Sequence, residues 1–329
     1  MESTGISVVI PNYNGQKLLE EILPSLFEAL QQSKKEYEVI VSDDFSTDDS
    51  VAFLKNKYPS IKVIEAEKNR GFSPTINRGI FAARFEYLLL LNSDVKLSPG
   101  YFSGIFRYFE RADTFGVMGR IIGWDDDEIQ DGAKYPSFHG AKIKTTGNYI
   151  PLSPGADDCW YSMYLSGANA LVSRQKILEL VGFDELFAPF YVEDYELSLR
   201  AWRIGWKCYY HHDAICRHRV SVSIKSSASK KNIHTIYYRN KMYLHAMHLS
   251  GFPLFTWYLQ LIPETLIRIV TLRFYYLKAL SMFLQNRSLM KESMQRFALV
   301  ANKKTKLLSV KEVVSKITGS LTGKDIKRF

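Results

Sequence analysis

At 329 residues, with 46% hydrophobic and 23% charged side chains, the chain can bury a sizeable core as one large domain or two smaller ones, which excludes a disordered or fibrous protein. Its net charge of +9 is uneven: residues 287–329 hold eleven Lys/Arg against three acids, a net +8 that leaves only +1 for residues 1–286. A basic tail on a near-neutral body favours a surface-seeking tail over a nucleic-acid groove in the main fold, so no nucleic-acid partner is expected.

Cys159, Cys208 and Cys216 form no CxxC pair, which points to a reducing compartment and no structural zinc. The first residues lack a basic region and the apolar run behind them stops at Pro11, so a cleaved signal peptide is not expected. Ile6–Ile10 reads as a strand that ends in Pro11-Asn12-Tyr13-Asn14-Gly15. Leu18, Leu19, Ile22, Leu23, Leu26, Phe27 and Leu30 follow at helical spacing, with a kink expected at Pro24. Glu38–Val41 is a second strand, and Ser46 and Asp48 are N-cap candidates for a helix over Val51–Tyr58. Ile61–Glu65 is a third strand; Asn69-Arg70-Gly71-Phe72 is a turn, and a helix runs from Thr75 to Phe85. Tyr87–Leu91 is the fourth strand, apolar throughout as in a sheet buried on both faces, and it runs into Asn92-Ser93-Asp94. Four strand–helix alternations predict a doubly wound, mostly parallel sheet with right-handed crossovers. The polar ends of strands one, two and four then share the edge where open α/β sheets bind ligands.

Asp94, placed there by a rigid strand, suits a divalent cation and the phosphates it carries. Taken alone, a strand followed by a turn with Asp94 as a helix cap is the simpler account, because short acidic turns are common after strands. Neither GxGxxG after the first strand nor GxxxxGK[ST] occurs, so a dinucleotide site and a P-loop are unsupported. A helix is expected over Tyr101–Arg111, a long surface excursion with a β-hairpin over Gly123–Gly155, a strand over Ala170–Val172 and a helix over Arg174–Val181. Gly182-Phe183-Asp184-Glu185 then precedes Glu193 and Asp194, which stand in the first turn of another helix. Capping accounts for one carboxylate there, and the cluster is denser than capping requires. Cys208–Tyr210 is a late strand. A lone histidine is ordinarily a hydrogen-bonded side chain, so His211, His212, His218, His234, His245 and His248 are not assigned as ligands individually.

The ordered set of motifs resembles family 2 glycosyltransferases of the GT-A fold over about residues 5–225. It comprises Val8–Gly15, Val41–Asp48, Asn69-Arg70-Gly71, Asn77-Arg78-Gly79, Asn92-Ser93-Asp94 at the place of a DxD, Glu193-Asp194 at an ED motif, and His218 followed by Ser221 and Ser223. Asn92, the Gly-Phe-Asp-Glu turn and Tyr237-Tyr238-Arg239-Asn240 are similar to the bacterial rhamnosyltransferase-like branch. The resemblance implies a Rossmann-like α/β fold with a mostly parallel sheet flanked by helices. It also implies an inverting transfer from a UDP- or dTDP-sugar, with dTDP-rhamnose among the donors in view, to a hydroxyl of a glycan or lipid-linked acceptor in surface polysaccharide synthesis.

Carried over by position, Asp43 accepts the N3–H of a uracil or thymine; Pro11, Tyr13 and Asn14 line the base pocket; Arg70, Asn92 and Ser93 lie near the nucleotide. Asp94 and His218 hold Mn²⁺ or Mg²⁺, Asp194 is the general base, Glu193 orients the acceptor, and Gly167-Ala168 permit close approach of donor or acceptor. Asn92 and Phe45 depart from the family pattern, in the metal motif and the second turn respectively.

The expected organisation is a catalytic domain over 1–225, with a nucleotide-sugar half of about 1–100 and an acceptor half of about 101–225, and a helical extension over 226–329. Within the extension, Glu264, Arg268, Thr271, Tyr275 and Lys278 form one polar stripe on an otherwise apolar helix. That helix either packs on the domain or lies in a membrane interface beside the basic tail. The location expected is cytoplasmic, peripheral on the inner face of the membrane. Two other functions compete. A sugar-phosphate nucleotidylyltransferase would want a Gly-rich basic loop after the first strand, which Pro11–Asn14 is not. A catalytically inactive, membrane-associated glycan-binding or scaffold protein is disfavoured by intact Asp43, Asp94, Asp194 and His218.

Overall fold

Residues 4–155, 159–219 and 229–329 are described by the structure, a computed structural model. Ser221 and Ser223 lie outside them. The amino-terminal alternation is present as β1 (Gly5–Asn12), α1 (Gln16–Gln32), β2 (Glu36–Asp43), α2 (Ser50–Lys57), β3 (Lys62–Glu65), α3 (Phe72–Ala82) and β4 (Tyr87–Leu91). β3, β2, β1 and β4 lie side by side and parallel, so β1, β2 and β4 end on one edge. Successive β1 side chains point to opposite faces. Ile6, Val8 and Ile10 pack with Leu19, Leu23 and Leu26 of α1, whereas Val9 packs with Ile76 and Ile80 of α3.

Beyond β4 come β5 (Val95–Leu97), β6 (Thr114–Gly123), β7 (Ile129–Asp131), β8 (Ala133–His139), β9 (Lys142–Pro151), β10 (Trp160–Tyr161), β11 (Asn169–Ser173), α4 (Arg174–Glu179), α5 (Glu193–Arg203) and β12 (Lys207–His218). β11 is antiparallel to β4 and β6, and β12 is parallel to β6, so the sheet is mixed but mostly parallel. The helix expected over Tyr101–Arg111 is instead a run of turns ending in a 3-10 turn over Ile105–Glu110. Gly104, at φ +70°, breaks any continuous helix there. The excursion over Gly123–Gly155 is more ordered than expected: β8 and β9 form the hairpin, with Tyr149 fully buried beneath it.

The carboxy-terminal region holds α6 (Lys230–His248), α7 (Gly251–Val270), α8 (Phe274–Gln285), α9 (Arg287–Ala301), α10 (Val310–Gly319) and β13 (Ile326–Arg328). β13 adds to the hairpin through β9, and the Arg203 and Leu308 backbones are hydrogen-bonded at 2.7 Å. The polar stripe is divided between two helices, because the chain turns at Thr271–Arg273 with Leu272 at φ +53°. Glu264 and Arg268 face inward, to Lys142 and to the rings of Tyr238 and Tyr276. Among the described residues no helix is long and apolar enough to cross a membrane.

Candidate active site

The ends of β1 and β2 are laced into one wall. Asp43 Oδ2 accepts from Asn12 Nδ2 at 2.8 Å and from the Ser46 hydroxyl at 2.6 Å, and Oδ1 accepts the Ser46 amide at 2.8 Å. An ionised carboxylate has about four acceptor positions, so one is left for a ligand donor. Asn14 Oδ1 accepts the Thr47 amide at 2.7 Å, and the neighbouring Tyr13 side chain is exposed. Phe45 is also exposed, in the left-handed region at φ +67°, so its bulk lies outside the core. Asp44 accepts the amides of Arg70 and Gly71, at 3.0 and 2.8 Å, and ties this wall to the loop before α3. The half-exposed Arg70 guanidinium reaches Glu185 at 3.2 Å, so it bridges the two halves of the site.

At the end of β4, Asn92 Oδ1 and Asp94 Oδ1 are buried with no hydrogen-bond partner. Burying an unpaired oxygen of this kind is costly. His218 Nε2, at the end of β12, lies 3.6 Å from Asp94 Oδ2. Two orphaned oxygens beside an imidazole fit a divalent cation that takes few protein ligands and completes its shell with phosphate oxygens and water. No cluster of three or more His, Cys, Asp or Glu that could hold a metal occurs among the described residues. Gly15 crowds this point: a Cβ on it would lie 2.4 Å from Asn12 Oδ1 and 3.6 Å from Ser93 Oγ.

The third part is the start of α5. Tyr191 and Val192 both adopt positive φ, +75° and +74°, a strained pair for bulky residues. That turn aims Glu193 and Asp194 into the site. Glu193 is buried and its Oε2 has no partner; burial, and then the Asp194 charge, push its pKa up to about 8. Asp194 is raised by burial too, but the backbone amides of Tyr195 (2.7 Å) and Gly167 and the cation of Lys134 favour its ionised form. At neutral pH Glu193 is therefore protonated, beside an Asp194 whose charged form those two amides and that cation favour against its burial. Gly167 and Ala168 join the two carboxylate centres. A Cβ on Gly167 would lie 4.0 Å from Asp194 Cβ, and the Ala168 carbonyl accepts the Asn92 amide at 3.2 Å.

The pair has a measurable consequence for stability. Glu193 keeps its proton in the fold to about pH 8 and releases it near 4.5 when unfolded. Its contribution is therefore fully present below the unfolded value and is lost as pH rises through 8. Glu193→Gln removes that loss. The variant is expected to melt roughly 3–6 °C above the parent at about pH 8.5, with the two curves converging toward about pH 5, in thermal scans across pH.

Several site residues carry no role in the sequence reading. Asn240 Nδ2 donates to the carbonyls of Phe187 (2.7 Å), Phe190 (3.1 Å) and Tyr191 (2.8 Å), and Arg239 donates to Ala188, so α6 holds the turn that aims Asp194. Tyr237-Tyr238-Arg239-Asn240 was the only signal for them. Arg200 Nε pairs with the fully buried Glu196 at 2.8 Å and its fork reaches the Leu180 and Gly182 carbonyls, locking α5 to the Gly-Phe-Asp-Glu turn. Lys241 stands 5.5 Å from the ring centres of both Tyr195 and Tyr237; burial, with Lys144 and Lys142 nearby, lowers its pKa to about 8. A lysine at helical spacing gives no hint of this from sequence.

An α/β sheet with carboxylates gathered at its carboxyl edge, a split metal motif and a second acidic pair on a helix define a glycosyltransferase of the GT-A fold. The model of the glycosyl transferase family 2 matches residues 7–177, and the chain belongs to that family. It is 24% identical over 257 residues to N-acetylglucosaminyl-diphospho-decaprenol L-rhamnosyltransferase of Mycobacterium tuberculosis, covering 70% of this chain and 81% of the relative. The solved structure of GalNAc-T7 with UDP, GalNAc and Mn²⁺ is similar at TM-score 0.67 and 16% identity, over 97% of this chain and 57% of that one. S. aureus TarS 1-349 in complex with UDP-GlcNAc is similar at TM-score 0.54 and 18% identity, over 91% of each chain. At these identities the two structures speak for the fold alone.

Proposed function

We propose that the chain transfers a sugar, with inversion, from a UDP- or dTDP-sugar to a hydroxyl of a glycan or lipid-linked acceptor. The observation that carries this reading is the pairing of orphaned Asn92 and Asp94 oxygens on one side of Gly167-Ala168 with the buried, amide-held Asp194 carboxyl on the other. A donor diphosphate needs the first and an acceptor hydroxyl needs the second. Tyr13 offers a face for the base, Asp43 one acceptor position for its N3–H, and Asn14 holds the loop that shapes the pocket.

The acceptor oxygen attacks the anomeric carbon as the bond to the nucleoside diphosphate breaks, and Asp194 takes the acceptor's proton. A single in-line displacement inverts the anomeric centre, through a transition state with oxocarbenium character. Glu193, protonated, is able to donate a hydrogen bond and so orients the acceptor. Asp94 and His218 are the residues that would hold a divalent cation, which when bound offsets charge developing on the leaving diphosphate.

The domains divide accordingly: about 1–100 serves the donor, about 101–225 the acceptor, and 226–329 buttresses the acceptor side. The acceptor in the Mycobacterium relative's name is a diphospho-lipid glycan, and Lys241 beside Asp194 suits such an anion. An inactive scaffold would have no use for a buried carboxyl pair at Glu193-Asp194 together with an unpartnered Asp94 Oδ1. Free Cys208 and Cys216, both buried, agree with a cytoplasmic site of action.

The test is titration calorimetry and turnover with a panel of UDP-, dTDP- and GDP-sugars, with and without Mn²⁺. One UDP- or dTDP-donor is expected to bind and be turned over slowly with the metal. Asp94→Ala should weaken metal-supported nucleotide binding by about tenfold or more. No binding of any nucleotide would overturn the reading.

A further inference from the structure

Helix α7 is amphipathic the wrong way round for a helix whose surroundings are protein and water. Its polar side chains face the protein. Glu264 binds Lys142 and Gln260, while Arg268 lies 5.6 Å from the ring of Tyr238 and 5.7 Å from that of Tyr276. Trp257 and Leu261 are its only buried members. Its apolar side chains point outward: Phe252, Phe255, Ile262, Leu266, Val270 and, just beyond the helix, Leu272 are each between 57% and 81% exposed. A 20-residue helix is about 30 Å long, so this is one continuous apolar face, far larger than a folded chain ordinarily leaves to water.

We propose that this face is a docking surface for an anionic phospholipid bilayer, with α7 lying in the plane of the interface. Charge selects that occupant. Between Gly251 and Gln285 the sole acid is Glu264, and it is turned inward. The exposed charges at the carboxyl end of the face are Arg273 and Lys278. At its amino end Lys311 stands with Phe252, Pro253 and Phe138 around an apolar cavity of about 620 Å³, which has room for the end of an acyl chain. Basic groups at both ends of an apolar stripe match lipid headgroups above a hydrocarbon layer. A second copy packed on the same face would set these like charges against each other.

The placement also bears on the reaction. Arg268 touches Tyr238 from the inner side of α7, the neighbouring Tyr237 packs on Tyr191 at 6.2 Å, and Tyr191 stands two residues before Glu193. Docking by α7 therefore brings the acceptor side of the site to the lipid surface. This last step rests on the transferase reading, but the docking itself does not.

The experiment is co-sedimentation of the full chain with vesicles of phosphatidylcholine alone or with about 30 mol% phosphatidylglycerol, without donor or acceptor. Binding to the anionic vesicles is expected, weakened by salt. In a Phe255→Glu, Ile262→Glu, Leu266→Glu variant it should fall by about tenfold or more, with the far-UV circular dichroism and cooperative thermal melt of the parent retained as proof of folding. A second variant, Arg273→Glu with Lys311→Glu, should lose the preference for anionic lipid while keeping its melting temperature. Failure of the parent chain to sediment with either vesicle overturns the proposal. So does binding that the triple variant leaves unchanged, and so does a parent dimer that the triple variant converts to monomer in analytical ultracentrifugation. Loss of turnover with vesicle binding retained would instead count against the transferase reading alone.

Discussion

Asp194→Asn is expected to reduce sugar transfer by about a thousandfold while donor-nucleotide affinity changes by no more than about twofold. The substitution keeps the shape of the side chain and the amide bonds it receives from Tyr195 and Gly167 in outline. What it removes is the proton acceptor. Donor binding is set on the other side of Gly167-Ala168, so it should survive. Glu193→Gln serves as the control, because a protonated glutamic acid and a glutamine both donate a hydrogen bond; its loss should be near tenfold. The parent enzyme should also lose activity on the acid side at a pH above the ordinary aspartate value, because burial raises the Asp194 pKa. Single-turnover rates across pH, measured with calorimetric donor binding, check all three points.

Asn240→Ala is expected to destabilise the fold by roughly 2–4 kcal/mol and to cut turnover by about a hundredfold, though Asn240 touches neither carboxylate. One amide group satisfies three carbonyls of the Phe187–Tyr191 turn, and removing it leaves them unpaired inside the protein. The turn also carries the positive-φ pair Tyr191 and Val192, whose strain persists only while the surroundings impose it. Once relaxed, the turn re-aims the first residues of α5, and with them Asp194. Asn240→Asp should be at least as damaging, since it presents acceptors to three acceptors. Thermal melts and kcat for the two variants, against an unchanged donor dissociation constant, separate this positioning role from a role in donor binding.

Much of the site was legible in the chain because the sheet is parallel and its strands are short and apolar. A run such as Leu88–Leu91 has one natural place, the sheet centre, and the residues that follow it must emerge at the carboxyl edge. Asn12, Asp43 and Asp94 were therefore assigned to one edge from local pattern alone, and β1, β2 and β4 place them there. Local pattern was less informative where the backbone departs from regular geometry. Gly104 turned an expected helix into turns, and Leu272 divided the apolar helix in two.

The sequence by itself determined the parallel α/β scaffold, the order of the motifs and the residue types offered for donor, metal and base. Each of these depends on interactions within a few residues or on the period of a single element. The protonation of Glu193 against Asp194, the unpaired oxygens of Asn92 and Asp94, the grip of Asn240 on a turn about fifty residues earlier and the outward face of α7 were decided only by the tertiary structure. Burial, a third partner and the side on which a helix packs are properties of what surrounds a residue in space, and spacing along the chain carries no record of them.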